Sequence, residues 1–148
     1  MKNYFIGIDP GKTGAVAVLD AQGELVSVHD FCDALDPLIS MRDKIAFGYL
    51  EEVHAMPKQG VVSTFTFGEN FGWWKGVLTA MGVPFKTIRP QEWQKGLVPK
   101  RGGLTDKPSL DVARQIFTTA PLGRKKDHNR ADALLIALVC QQREKVPS

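Results

Sequence analysis

The chain is 148 residues long, 43% hydrophobic and 24% charged, the size and balance of one globular domain, residues 1–148, with a core of its own. No apolar run approaches the ~20 residues that a membrane-spanning helix needs, and Met1-Lys2-Asn3 leads straight into a strand-like run in place of a signal peptide, so an intracellular protein is expected. The net charge of +3 is unevenly spread: residues 1–85 hold 6 Lys/Arg against 10 Asp/Glu, and residues 86–148 hold 13 against 6, which suits an acid-centred site acting on phosphates.

Tyr4–Ile8 is a short apolar run and is expected as a buried strand. Asp9-Pro10-Gly11-Lys12-Thr13-Gly14 has turn chemistry, with Pro presetting φ and Gly tolerating positive φ. Ala15–Leu19 and Glu24–Val28, joined by a turn at Ala21-Gln22-Gly23, complete a three-stranded antiparallel meander. A helix over 33–43, with Leu35, Leu38, Ile39 and Met41 inward, leads into a strand over 45–53, which such a crossover allows to lie parallel beside the first. After the loop His54–Gly60, a helix over 63–81 is capped by Ser63 or Thr64 and stopped at Gly82. Phe85–Ile88 is a fifth strand, Pro90–Gln94 a short helix, and 96–107 a flexible basic loop. Pro108 opens a helix to Phe117, 120–127 is a second basic loop, and 129–143 is the last helix, with Ala133, Leu134, Ile136, Ala137 and Leu138 inward. This order predicts an α/β fold: one mixed five-stranded sheet with helices on its faces.

The chemistry-bearing residues fall at the ends of these elements. Asp9 closes the first strand, Glu51 closes the fourth, and His128 and Asp132 stand four residues apart at the start of the last helix, on one face. Carboxylates so placed can converge on hard divalent cations. Glu51 and Glu52 are neighbours on a strand and face opposite ways, so only one of them reaches the site, and Glu51 is the expected one. Cys32 and Cys140 show no metal-ligand spacing, and Cys140 reads as core. Lys12-Thr13 invites a phosphate-loop reading, but Ile6 stands where that pattern needs Gly, so no nucleotide cofactor is expected.

Gly7-Ile8-Asp9-Pro10-Gly11, Glu51-Glu52-Val53, Arg89-Pro90-Gln91-Glu92-Trp93, Lys125-Lys126-Asp127-His128 and Arg130-Ala131-Asp132-Ala133-Leu134 resemble, in order and spacing, the RuvC-type Holliday junction resolvases, in particular their phage and bacterial RuvC-like branch. The resemblance covers nearly the whole chain. It implies an RNase H-like fold, a homodimer, a four-way DNA junction as substrate, two Mg²⁺ or Mn²⁺ ions per active site, and a place in a bacterial cytoplasm or nucleoid or, for a phage protein, the host cytoplasm. Asp9, Glu51 and Asp132 match the family's acids, and Asp9 is implied to bridge the two ions. The fourth position falls on His128 or on Asp127. Helix geometry favours His128, a metal-competent imidazole, while Asp127 is also placed to cap the helix.

Lys12, Lys58, Arg89, Lys100, Arg101, Lys125 and Arg130 are candidate DNA contacts, with Lys100-Arg101-Gly102-Gly103 foremost. The loop from His54 to Gly60 resembles the family's junction-facing loop, with His54 and Met56 where relatives carry an apolar wedge. Phe67, Phe71 and Trp74 form one stripe on a helix apolar on two faces, and that stripe is the expected dimer interface. Two other readings stand beside the resolvase: a flap or branched-DNA nuclease of looser selectivity, and a non-catalytic junction-binding relative.

Overall fold

A computed structural model describes residues 1–52, 60–100 and 106–146. The expected wedge positions His54 and Met56, and the expected DNA contacts Lys58 and Arg101, lie outside the described residues.

Strands β1 (Tyr4–Asp9), β2 (Ala15–Leu19) and β3 (Leu25–Asp30) form the antiparallel meander. Helix α1 (Leu35–Met41), flanked by single 3₁₀ turns, crosses to β4 (Ile45–Glu51), which pairs with β1 in parallel. Helix α2 (Val61–Ala80) crosses to β5 (Phe85–Ile88), parallel to β4, and the sheet order is β3-β2-β1-β4-β5. Helices α3 (Pro90–Gln94), α4 (Pro108–Ile116) and α5 (His128–Glu144) complete the chain. In α1 only Leu38 is fully buried, and Ile39 is exposed.

The sheet divides the core by strand parity. Phe5, Ala15, Ala17, Leu19 and Tyr49 pack with α4 and α5 on one face. Ile6, Ile8, Val16, Val18 and Leu50 pack with Leu38 of α1 and with Trp74 and Leu78 of α2 on the other. Both faces are therefore covered, which is why β1 and β2 read as continuous apolar runs. A bulge at the head of β4 aligns Tyr4 with Ile45 but Phe5 with Phe47, and both Ala46 and Phe47 lean on the α5 side.

Two glycines shape the frame. A Cβ on Gly7 would lie 2.2 Å from the Ala137 nitrogen and 2.3 Å from the Ala133 carbonyl oxygen, so α5 lies directly on β1 only because position 7 has no side chain. Gly82 ends α2 with a φ of +71°. Its N–H donates to the Thr79 carbonyl and the Val83 N–H to the Leu78 carbonyl, the paired bonds of a Schellman stop. The expected cap at Ser63 or Thr64 is not used: α2 begins two residues earlier, after Gly60, and no side chain caps it.

The stripe Phe67-Phe71-Trp74 does share a face, but that face turns inward. Trp74 is fully buried against Phe31 and Trp73, and Phe71 packs on the same core. The outward face of α2 carries Val61, Val62, Phe65 and Trp73 with Gly68, Gly72 and Gly76 between them, where a Cβ would meet open space. The physical reason is that a helix apolar all round gives no pattern telling which stripe the sheet will take. The last helix is also buried more widely than expected, Leu135 and Val139 included, because α4 covers its second side, while Leu138 is only half-buried.

Candidate active site

Parity and register deliver the acids. Asp9 continues the Phe5-Gly7 face of β1, and Glu51 continues the Phe47-Tyr49 face of β4; both faces look toward α5. Ile8 pairs with Leu50, so the two carboxylates leave neighbouring strand ends at matching heights. Glu52 takes the opposite side and meets the Arg89 guanidinium at 3.5 Å. Asp132 stands on the second turn of α5, which the bare Gly7 lets down onto β1.

The three carboxylates influence one another and are short of cations. Burial pushes Asp9 up to about 6 against the Gly11 N–H, which donates to its Oδ1 at 3.0 Å. Burial, then Asp9, and more weakly Asp132 raise Glu51 to about 8, while the Trp93 indole opposes them by donating to its Oε2 at 2.6 Å. Burial and then Asp9 raise Asp132 to about 7, opposed by the Ser109 hydroxyl and by the Lys107 charge. Carboxyls that hold their protons to near-neutral pH are poised to exchange them for a hard cation, the behaviour expected of an oxygen-rich Mg²⁺ or Mn²⁺ site. The donor set fits such an ion in its chemistry. Among the described residues, no group of three or more His, Cys, Asp or Glu side chains is gathered closely enough to form a metal shell. The acids therefore stand within electrostatic range and not yet at coordination range.

His128 lies one turn before Asp132 and lines a cavity at the start of α5; burial first and Lys107 second lower its proton affinity, which favours the neutral imidazole. Asp127 is committed elsewhere. Its carboxylate accepts from the Arg124 backbone N–H at 2.8 Å and from the Arg124 guanidinium at 2.8 Å, so it caps the 3₁₀ turn before α5 and bonds no N–H of α5 itself.

Among the expected DNA contacts, Lys12, Arg89 and Lys100 are exposed, and Lys125 is exposed but 3.2 Å from Asp106. Arg130 instead braces the fold: its guanidinium donates twice to Asp30, at 2.8 Å each, and once to the Pro121 carbonyl at 3.0 Å. Three further residues enter the site without having been singled out as acid partners: Trp93 on Glu51, Ser109 on Asp132, and Lys107 as the cation that acts on Asp132. A buried tryptophan needs a partner for its N–H, which is the one sequence-level hint available for Trp93. Ser109 and Lys107 carry no such signal.

Fold and site define an α/β domain with three carboxylates at one end of a mixed five-stranded sheet. A structure of Thermus thermophilus RuvC in complex with Holliday junction substrate superposes with a TM-score of 0.69 at 20% identity, over 92% of this chain and 90% of that one. A second Thermus thermophilus RuvC structure gives 0.61 at 21% identity, over 91% of each chain. In sequence, the chain is 34% identical over 128 residues to the chloroplastic Holliday junction resolvase MOC1 of Chlamydomonas reinhardtii. That match covers 84% of this chain and 13% of the relative, so the chain spans a small part of the length of that protein. No protein-family model matches the chain. Among the described residues no helix is long and apolar enough to cross a membrane.

Proposed function

We propose that this chain is a metal-dependent endonuclease that resolves four-way DNA junctions by paired, symmetric nicks, leaving 5′-phosphate and 3′-hydroxyl ends. The observation that carries the reading is the placement of buried Asp9 and half-buried Glu51 and Asp132, within electrostatic range of one another, at one end of a RuvC-like sheet. The names of the resolvase similar in sequence and of the junction-bound RuvC similar in fold support it.

Asp9, Glu51 and Asp132 would hold two Mg²⁺ or Mn²⁺ ions, with His128 as the neutral fourth donor. Bound there, such ions supply an activated water and a stabilised leaving oxygen. The chain's own residues prepare that chemistry. The Gly11 N–H fixes one carboxylate oxygen of Asp9 and the Trp93 indole one of Glu51. Ser109 orients Asp132, and Lys107 supplies positive charge for the scissile phosphate. Lys12, Arg89 and Lys100 are exposed and suited to backbone phosphates. A second copy of the chain would pack on the outward face of α2, where Val61, Phe65 and Trp73 flank the open glycines, and would present a second acid cluster to the opposite strand of a two-fold junction.

The test is cleavage of an end-labelled synthetic four-way junction beside a matched linear duplex, in Mg²⁺, Mn²⁺ and EDTA. Paired symmetric nicks in the junction alone, abolished by EDTA, are the expected result. Equal cutting of both substrates would keep the metal site and discard junction resolution. Binding without cutting in either metal would discard the enzyme.

A further inference from the structure

A cavity of about 350 Å³ opens between Lys12–Gly14 of the turn after β1, the end of β3 and the start of α5; Asp9, Glu51 and Asp132 do not line it, but the turn follows Asp9 and the helix carries Asp132. Its polar groups are almost all donors. The two acids in its wall are already neutralised: Asp30 is held by Arg130, and Asp127 by Arg124. The remaining charge is positive. Lys12 and Lys126 line the cavity, are exposed, and have no ion-pair partner among the described residues. Thr13 Oγ accepts from the Asn129 side-chain amide at 2.8 Å, so its own proton is left to donate. The positive end of the α5 dipole lies in the same wall. Phe31 supplies one apolar side. A phosphate needs donors and cations, and a deoxyribose needs an apolar wall; the cavity has room for both.

The placement is as telling as the chemistry. Thr13 follows Asp9 by four residues on the same turn, and Asn129 precedes Asp132 by three on the same helix. The segments that deliver two of the three acids, Asp9 and Asp132, therefore also build the cavity, and the Thr13–Asn129 hydrogen bond ties them across its edge. We propose that this cavity seats a non-scissile backbone phosphate of the strand being cut, with its sugar against Phe31, and so sets which linkage lies over the acids. The assignment rests on the junction-cutting reading above and adds a positioning subsite to it.

The test uses four-way junctions carrying one neutral methylphosphonate linkage, moved stepwise along the cut strand. Binding is measured in Ca²⁺ and cleavage in Mn²⁺, for the full chain and for the Lys12→Ala/Lys126→Ala variant. With the unaltered chain, one flanking linkage should weaken binding by about 10-fold when neutralised, and the cut site should blur there. In the variant the loss at that linkage should fall below about 2-fold, other linkages should be unaffected, and the log–log salt slope should shrink by about 1–2. If the unaltered chain cuts junctions but its linkage profile matches that of the variant, the cavity is not a phosphate seat, while the resolvase reading stands. If the unaltered chain neither binds nor cuts a junction, that reading falls and takes the subsite with it.

Discussion

Helix α5 holds carboxylates at both of its ends, and in opposite ways. At its C-terminal end Glu144 accepts from the Tyr49 hydroxyl at 2.6 Å and meets the Lys86 ammonium at 3.4 Å, while Gln141 donates to the Ala21 carbonyl at 2.8 Å. The Glu144 charge there has its counterpart in Lys86. At the N-terminal end Asp132 shares buried space with Asp9 and Glu51, and the neutral donors Ser109, Trp93 and the Gly11 N–H do most of the holding. One end stabilises the fold. The other stores repulsion that a bound cation would relieve. Carboxyls whose proton affinities are raised together at one site mark a candidate functional site.

Substitutions that break this contrast should differ in kind. Asp132→Asn should cost at least about 1,000-fold in junction cleavage with the fold intact, because the donor set loses a charge but no volume; gel-based cleavage rates beside circular dichroism would check it. Gly7→Ala should destabilise the chain by about 3–5 kcal/mol, since the new methyl meets the α5 backbone and no rotamer relieves it; urea unfolding would show this. Trp93→Phe removes the indole N–H together with part of a buried ring. It should raise the metal concentration for half-maximal cleavage by about 10-fold while the rate at saturating metal changes less, as a Mn²⁺ titration of activity would reveal.

The pH dependence sharpens the contrast. The folded carboxyls hold their protons to about 6, 8 and 7 for Asp9, Glu51 and Asp132, against ordinary values of 3.8, 4.5 and 3.8. Between those limits the folded state binds more protons than the unfolded one, so this contribution is complete below pH 4 and is lost as pH rises toward 8. Melting of the metal-free protein should therefore show stability falling across that window, and Glu51→Gln should flatten the slope. Divalent metal should restore stability at the upper end. At the other end of α5, Tyr49→Phe should cost about 1 kcal/mol of stability and leave cleavage unchanged.

Much of this was legible in the chain itself, because the signals were local. Five strands fall where apolar runs meet turn residues, Gly82 stops α2, and strand alternation separates Glu51 from Glu52. What stayed hidden depends on contacts across the chain. The Asp30 that claims Arg130 is 100 residues away, and the Glu51 held by Trp93 is 42 away. No periodicity reports either pairing. Helix geometry favoured His128 over Asp127 for the fourth position, but the Arg124 side chain that holds Asp127 left no sequence signal. On α2, composition established that two faces were apolar, but only the packing of Trp74 under Phe31 decided which was inward.

The bulge at the head of β4 sets the phase of everything after it. Were the strand regular from Ile45 onward, alternation would turn Leu50 and Glu52 toward α5 and leave Glu51 facing the α2 layer. Two adjacent glutamates mean that a carboxylate would still be offered, but one residue further along the strand and out of step with Asp9. The reading frame of this strand is thus a geometric code with a single permitted setting, and gaining or losing one residue between Ile45 and Glu51 would move the acid across the sheet without changing the composition of the site.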